Sequence, residues 1–155
     1  MREILFKAKR KNWLELPKEE WWVEGYLFDN DIPTDKRYYI GYLTIEPYKG
    51  TAEDHWDITG KYFYEIDPET LCQYTGMTDK NGVRIWENDI LRRAYHLEDD
   101  CIVVWHDGRF NFKTIHGQYN QDPMTLLSLC FISKSVERLK VVGNVFDNPE
   151  LLRKG

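Results

Sequence analysis

The segment from Gln73 to Leu91, Q-Y-T-G-M-T-D-K-N-G-V-R-I-W-E-N-D-I-L, restricts this chain more than any other stretch. At its centre, Asp79-Lys80-Asn81-Gly82 is a turn with a physical mechanism. Asp in the first position accepts hydrogen bonds from backbone N–H groups two residues on, and Asn and Gly tolerate positive φ at low steric cost. Gly76 marks a second tight bend. Val83, Ile85 and Trp86, then Ile90 and Leu91, follow with side chains that favour a pleated surface. The segment therefore predicts a long turn feeding a β-strand. It does not read as a phosphate-cradling glycine loop, since neither a GK[ST] ending nor helical periodicity follows.

The rest of the chain repeats the β pattern. Ile4, Phe6 and Ala8 alternate with Leu5, Lys7 and Lys9 as a first strand. Trp13, Trp21 and Trp22 flank an acidic, proline-bearing loop, Glu15 to Glu20. Trp21 to Phe28 is a second strand, with Gly25 at a bulge or a close backbone approach. Asp29-Asn30-Asp31-Ile32-Pro33 is a plain turn, because the offsets and distal Glu of a calcium loop are missing. Tyr38 to Ile45 has large residues on both faces and predicts a strand that is central or partly covered on both sides. From Glu46 to Lys61 the alternation stops, which predicts a long polar loop around Trp56.

Tyr62 to Ile66 is again a strand. Cys101-Ile102-Val103-Val104-Trp105 is the most continuous apolar run and the best core strand. His106-Asp107-Gly108-Arg109 predicts a tight type I′ hairpin returning through Phe110 and Phe112. Asp122 and Pro123 are placed to start a short helix over Met124 to Phe131. Leu139 to Phe146 is a last strand, and Asn148-Pro149 opens a brief terminal helix carrying Leu151 and Leu152.

The stretch T-G-M-T-D-K-N-G-V-R-I-W-E-N-D-I-L resembles the defining segment of the YopX family of small phage and prophage proteins, which runs roughly T-G, two residues, D-K-N-G, two residues, I, an aromatic, E-G-D-I-V. Glu3–Lys9 with Trp22-Val23-Glu24-Gly25-Tyr26-Leu27 resembles the family's opening, and Val142 to Leu151 its end. Asn88 stands where the family usually has Gly, and Asn also tolerates a left-handed backbone. The resemblance implies a mainly β protein with an SH3-like small barrel of antiparallel strands, additional β-strands and one or two short helices. It implies one YopX-type unit over residues 1–155, with two β lobes of about 1–70 and 71–155 as the alternative division. It brings no catalytic, cofactor-binding or metal-ligating residues with it.

Charge and cysteine content narrow the function. A net charge of −5 argues against passive binding along a phosphate backbone. Cys72, Cys101 and Cys130 are odd in number and form no CxxC pair, so the reading is reduced thiols rather than a zinc site or a disulfide framework. Arg2, Glu3, Lys7 and Lys9 break any apolar leader, and no run is long enough to span a bilayer. The expectation is a cytoplasmic protein of a bacterial host, without a membrane partner.

Local chemistry is sparse. Lys7, Lys9, Arg10 and Lys11 form the one basic cluster and read as a solvated strand end. His55 with Asp54 and Asp57 reads as loop polarity, and His106, His116 and Cys101 as ordinary residues rather than metal ligands. No cofactor and no catalytic, metal-binding or other site residue is assigned, and no enzymatic activity is expected. The chain's six tryptophans and ten tyrosines exceed what one small core hides, which favours a non-enzymatic binding or assembly module. That module is expected to form a homo-oligomer or to take a host or phage protein partner. A nucleic-acid-binding barrel using Lys7 to Lys11, Arg92 and Arg93 is the second reading, not favoured. A metal-dependent hydrolase recruiting Glu87, Asp89, Asp99 and Asp107 is the third.

Overall fold

Most of the β-branched and aromatic residues find their places in antiparallel strands. The computed structural model describes residues 1–50, 53–93, 96–115, 124–125 and 139–153. The chain divides into two units, one of Ile4–Leu71 and one of Met1–Glu3 with Cys72–Gly155.

In the first unit the strands are β1 (Phe6–Lys9), β2 (Trp22–Asp29), β3 (Tyr38–Pro47) and β4 (Trp56–Glu65), in the order β4-β3-β2-β1. Ala8, Ile40 and Ile66 form the core, packed by Phe6, Val23, Leu27, Tyr38 and Leu71. β3 is central and partly covered: Ile40 and Gly41 are buried, whereas Tyr42 and every residue from Thr44 onward are exposed. One expectation is corrected here. The segment 46–61 is not a long loop. Its residues Trp56 to Lys61 are strand, paired Leu43↔Lys61, Thr44↔Gly60, Ile45↔Ile58, Glu46↔Asp57 and Pro47↔Trp56. They show no apolar alternation because neither face is buried there. The backbone ladder to β3, not burial, makes the strand.

In the second unit, β5 (Cys72–Thr78) and β6 (Arg84–Trp86) flank the Asp79–Gly82 turn. Gly76 sits at φ 84°, where their pairing breaks between Tyr74 and Thr78. Then come β7 (Asp89–Arg93), β8 (His96–His106), β9 (Arg109–Thr114), β10 (Met124–Thr125) and β11 (Leu139–Asn144), in the order β10-β9-β8-β7-β11. Ile85, Leu91, Cys101, Val103, Phe112 and Leu139 form its core, with Met77, Phe110 and Val141 against them. β8 and β9 join through Asp107 and Gly108 at φ 50° and 71°, the two positive values a type I′ turn needs.

The strand expected to continue from the signature turn is two strands, separated at Glu87-Asn88. Asn88 lies at φ 67° and turns the chain, its N–H donating to the Val103 carbonyl at 2.8 Å and its carbonyl accepting from the Val145 N–H at 3.1 Å. Its side-chain amide donates to Cys72 Sγ at 3.6 Å. Asn88→Gly is therefore expected to shift urea-unfolding stability by less than about 1 kcal/mol. Asn88→Val, which forces a branched side chain into the left-handed region, should cost about 2 kcal/mol.

Met124 and Thr125, expected in a helix, pair instead with Phe112 and Asn111 of β9; the remainder of 122–131 lies outside the described residues, as do His116 and Cys130. Tertiary pairing overrides the local start signal there. The terminal turn is a 3-10 helix, Pro149–Leu152. Asn148 does not cap it. Its amide oxygen accepts from the Asn144 N–H at 3.3 Å and its amide nitrogen donates to Glu150 at 3.1 Å. Mainly β is thus the architecture, in open antiparallel sheets. Among the described residues they do not close into a barrel.

Candidate functional site

The signature turn is a structural knot. Asp79 is buried, and its carboxylate accepts three backbone N–H bonds: Asn81 at 2.8 Å and Val83 at 3.0 Å on one oxygen, Val141 at 3.0 Å on the other. Beside it the Lys80 N–H donates to the Leu139 carbonyl at 3.1 Å. Burial pushes the Asp79 carboxyl up, but the backbone donors from Val141, Val83 and Asn81 outweigh it and hold the group below the ordinary carboxylate value. One side chain therefore closes its own turn and staples it to β11.

The carboxylates considered for a metal serve separate ends. Asp89 is buried and accepts from the Trp86 N–H at 2.8 Å. Glu87 is half-buried and accepts from the Gln73 N–H at 3.4 Å; burial raises its pKa and that donor opposes the rise. Asp107 lies in the β8–β9 turn, 3.4 Å from His106 Nε2, and the Asp99 side chain is outside the described residues. Asp54 and His55 pair at 3.0 Å on an exposed turn. Among the described residues no three His, Cys, Asp or Glu side chains gather closely enough to hold one ion. Cys72 and Cys101 are both buried.

Lys11 of the basic cluster is solvated as expected, but Lys9 is not. Lys9 is only 1% exposed. Its Nζ lies 3.9 Å from the ring centre of Trp13, 4.4 Å from Trp21 and 5.6 Å from Trp22. Lys7 lies over Trp22 at 5.1 Å, Arg10 over Tyr64 at 4.3 Å, and Lys11 meets Glu65 at 2.6 Å. Arg92 makes a two-pronged pair with Asp100 at 2.9 and 2.8 Å, which pushes the guanidinium pKa up. The sequence held the signal for this arrangement in Trp13, Trp21 and Trp22 around the 15–20 loop. Alternation along β1 could not show that Lys9 turns inward beneath them.

The aromatic and aliphatic excess is concentrated on the β3–β4 hairpin. Residues directly opposite on paired strands share a face, as do alternate residues of one strand. Ile45 and Ile58 are opposite, Pro47 and Trp56 are opposite, and Ile45 and Pro47 alternate, so the four share one face. Ile45, Trp56 and Ile58 are 54%, 53% and 59% exposed. Thr59 is left unpaired between Ile58 and Gly60, a bulge in β4, which ends the strand order. The bulge and the charges of Asp57, Lys61 and Glu65 hinder addition of a further strand to that edge. The hairpin's chemistry therefore lies on its face.

A family model described as YopX protein matches residues 21–153. The crystal structure of protein EF1440 from Enterococcus faecalis is similar in fold. Its TM-score is 0.58 at 22% identity, with 99% of this chain and 100% of that chain covered. No curated protein matches the sequence. Among the described residues no helix is long and apolar enough to cross a membrane.

Proposed function

We propose that this chain, which belongs to the YopX family, is a non-enzymatic assembly module that forms a homo-oligomer through the exposed face of its β3–β4 hairpin. The exposed Ile45–Ile58 pair beside Trp56 carries the reading. Large apolar side chains are common singly on surfaces, but a contiguous exposed apolar face marks an interaction site. A second copy supplies the same apolar chemistry in an isologous contact, the commonest arrangement among soluble oligomers. A phage or prophage origin, a bacterial cytoplasmic setting and kinship with SH3-like barrels belong to this proposal and are supported by the family resemblance.

Nucleic acid stands second, since Lys9, Lys11 and Arg92 are engaged within the protein and net charge is negative. Light scattering tests the main reading. The wild type is expected to have at least twice the single-chain mass at about 50 µM, well above the Kd of an ordinary homodimer. Ile58→Lys should return it to one chain with the melting temperature little changed, because Ile58 is not in the core. A wild type that runs as one chain at that concentration removes the proposal.

A further inference from the structure

Lysine is almost never fully buried without compensation, because an ammonium taken out of water loses several kcal/mol of hydration. At Lys9 three indoles contribute to that compensation. Trp22 is its direct cross-strand partner, so the β1–β2 register sets one wall. The 10–21 segment supplies the others. It is closed by the Arg10 N–H donating to the Trp21 carbonyl at 2.8 Å and turned by 3-10 helices at Trp13–Glu15 and Lys18–Glu20. Trp21 is fixed by its indole N–H donating to the Leu16 carbonyl at 3.0 Å, and Trp13 packs edge-on against it at 4.8 Å. The Lys9 backbone is pinned independently, its N–H donating to Thr70 Oγ1 at 2.8 Å and its carbonyl accepting from the Asp67 N–H at 2.9 Å. Apart from the Lys9–Trp22 pairing, the walls and the occupant are thus positioned by separate contacts. Three indoles within 6 Å of one ammonium form the kind of aromatic enclosure that recognises alkylammonium and methylated ammonium ions.

We propose that Trp13, Trp21 and Trp22 form an alkylammonium-binding site which Lys9 occupies in cis. Removing the side chain leaves a site for a small alkylammonium ion from solution. Lys9→Ala deletes the equivalent of n-propylammonium, so that salt is the probe, with tetramethylammonium chloride as a second cation and n-propanol as the neutral isostere. In Lys9→Ala, n-propylammonium is expected to raise the melting temperature saturably by at least about 3 °C and to change tryptophan emission. The wild type, whose site is filled, should show neither response. An equal effect of n-propanol would make the site an apolar cavity and overturn the proposal, as would the absence of any saturable response in a folded variant. Should Lys9→Ala be unfolded, n-propylammonium is expected to refold it, and failure to do so counts against the proposal. Lys9→Met provides a separate reading, because it keeps length and apolar bulk but drops the charge. It is expected to melt at least about 3 °C below wild type. A Lys9→Met protein as stable as wild type would mean that the indoles hold a hydrocarbon stem rather than a cation.

Discussion

Asp79→Ala is expected to lower the stability of the Cys72–Gly155 unit by about 4 kcal/mol at neutral pH. A hydrogen bond to a charged group contributes roughly 1.5–3 kcal/mol net, and a buried donor left without an acceptor costs about 1–3 kcal/mol more. Asp79 satisfies three such donors and is itself buried. The full sum is not reached, because the Asn81 and Val83 N–H groups lie in a turn that opens toward solvent once β11 is released. The loss should read as a fall in melting temperature of about 10 °C.

The pH dependence separates this account from simple loss of packing. In the folded protein the Asp79 carboxyl is held below its ordinary value of 3.8. A depressed acid contributes stability above its unfolded value and loses that contribution as pH falls through the folded one. The gap between wild type and Asp79→Ala in urea should therefore be full at pH 7 and narrow below about pH 4. A gap independent of pH would show that the carboxylate charge is not what the turn uses. Asp79→Asn should fall between the two, since its amide oxygen still accepts from Asn81 and Val83 while its NH2 faces the Val141 donor.

Gly41→Ala should cost about 3 kcal/mol or more in the Ile4–Leu71 unit. A Cβ on Gly41 would lie 1.7 Å from the Tyr62 carbonyl oxygen and 2.9 Å from Phe63 Cα. Across the other strand pair, a Cβ on Gly25 would lie 2.6 Å from the Gly41 carbonyl oxygen. These atoms are backbone, so no side chain can swing aside. β4 must shift by more than an ångström, or the β3–β4 register must slip. Overpacking of this kind costs about 1–3 kcal/mol when side chains yield and more when they cannot. Hydrogen exchange locates the effect: amides of Tyr62 to Glu65 should lose protection first. A variant with unchanged melting temperature and unchanged exchange there would mean that the strands close around the methyl at no cost. Were the hairpin face the oligomer contact, the same variant would also weaken assembly, because Ile45 and Ile58 meet through that register.

The turns were readable where their chemistry is local. Asp79-Lys80-Asn81-Gly82 and Asp107-Gly108 name their own backbone geometry, and both turns are found where expected. Alternation located β1 and β11 because each has one face on a core. Trp56 to Lys61 gave no such pattern, because a strand held by a ladder and exposed on both faces has no buried side to write into its residues. The left-handed turn at Asn88 is legible in the residue type, which stands where the family has Gly, whereas its division of the following strand into β6 and β7 is not.

The candidate sites divide in the same way. An excess of tryptophan and tyrosine is a property of composition, and it pointed to exposed aromatic surface without saying where. The location follows from the pairing of Ile45 with Ile58 and Pro47 with Trp56, partners that only the β3–β4 register brings face to face. The family and the dominance of β structure were determined by the chain's own residues, since turn chemistry and strand propensity act over a few neighbours. The burial of Lys9 and the reach of Asp79 to Val141 were decided by tertiary structure. Each joins residues distant in the chain, and the energy of burying a charge depends on what surrounds it rather than on what precedes it.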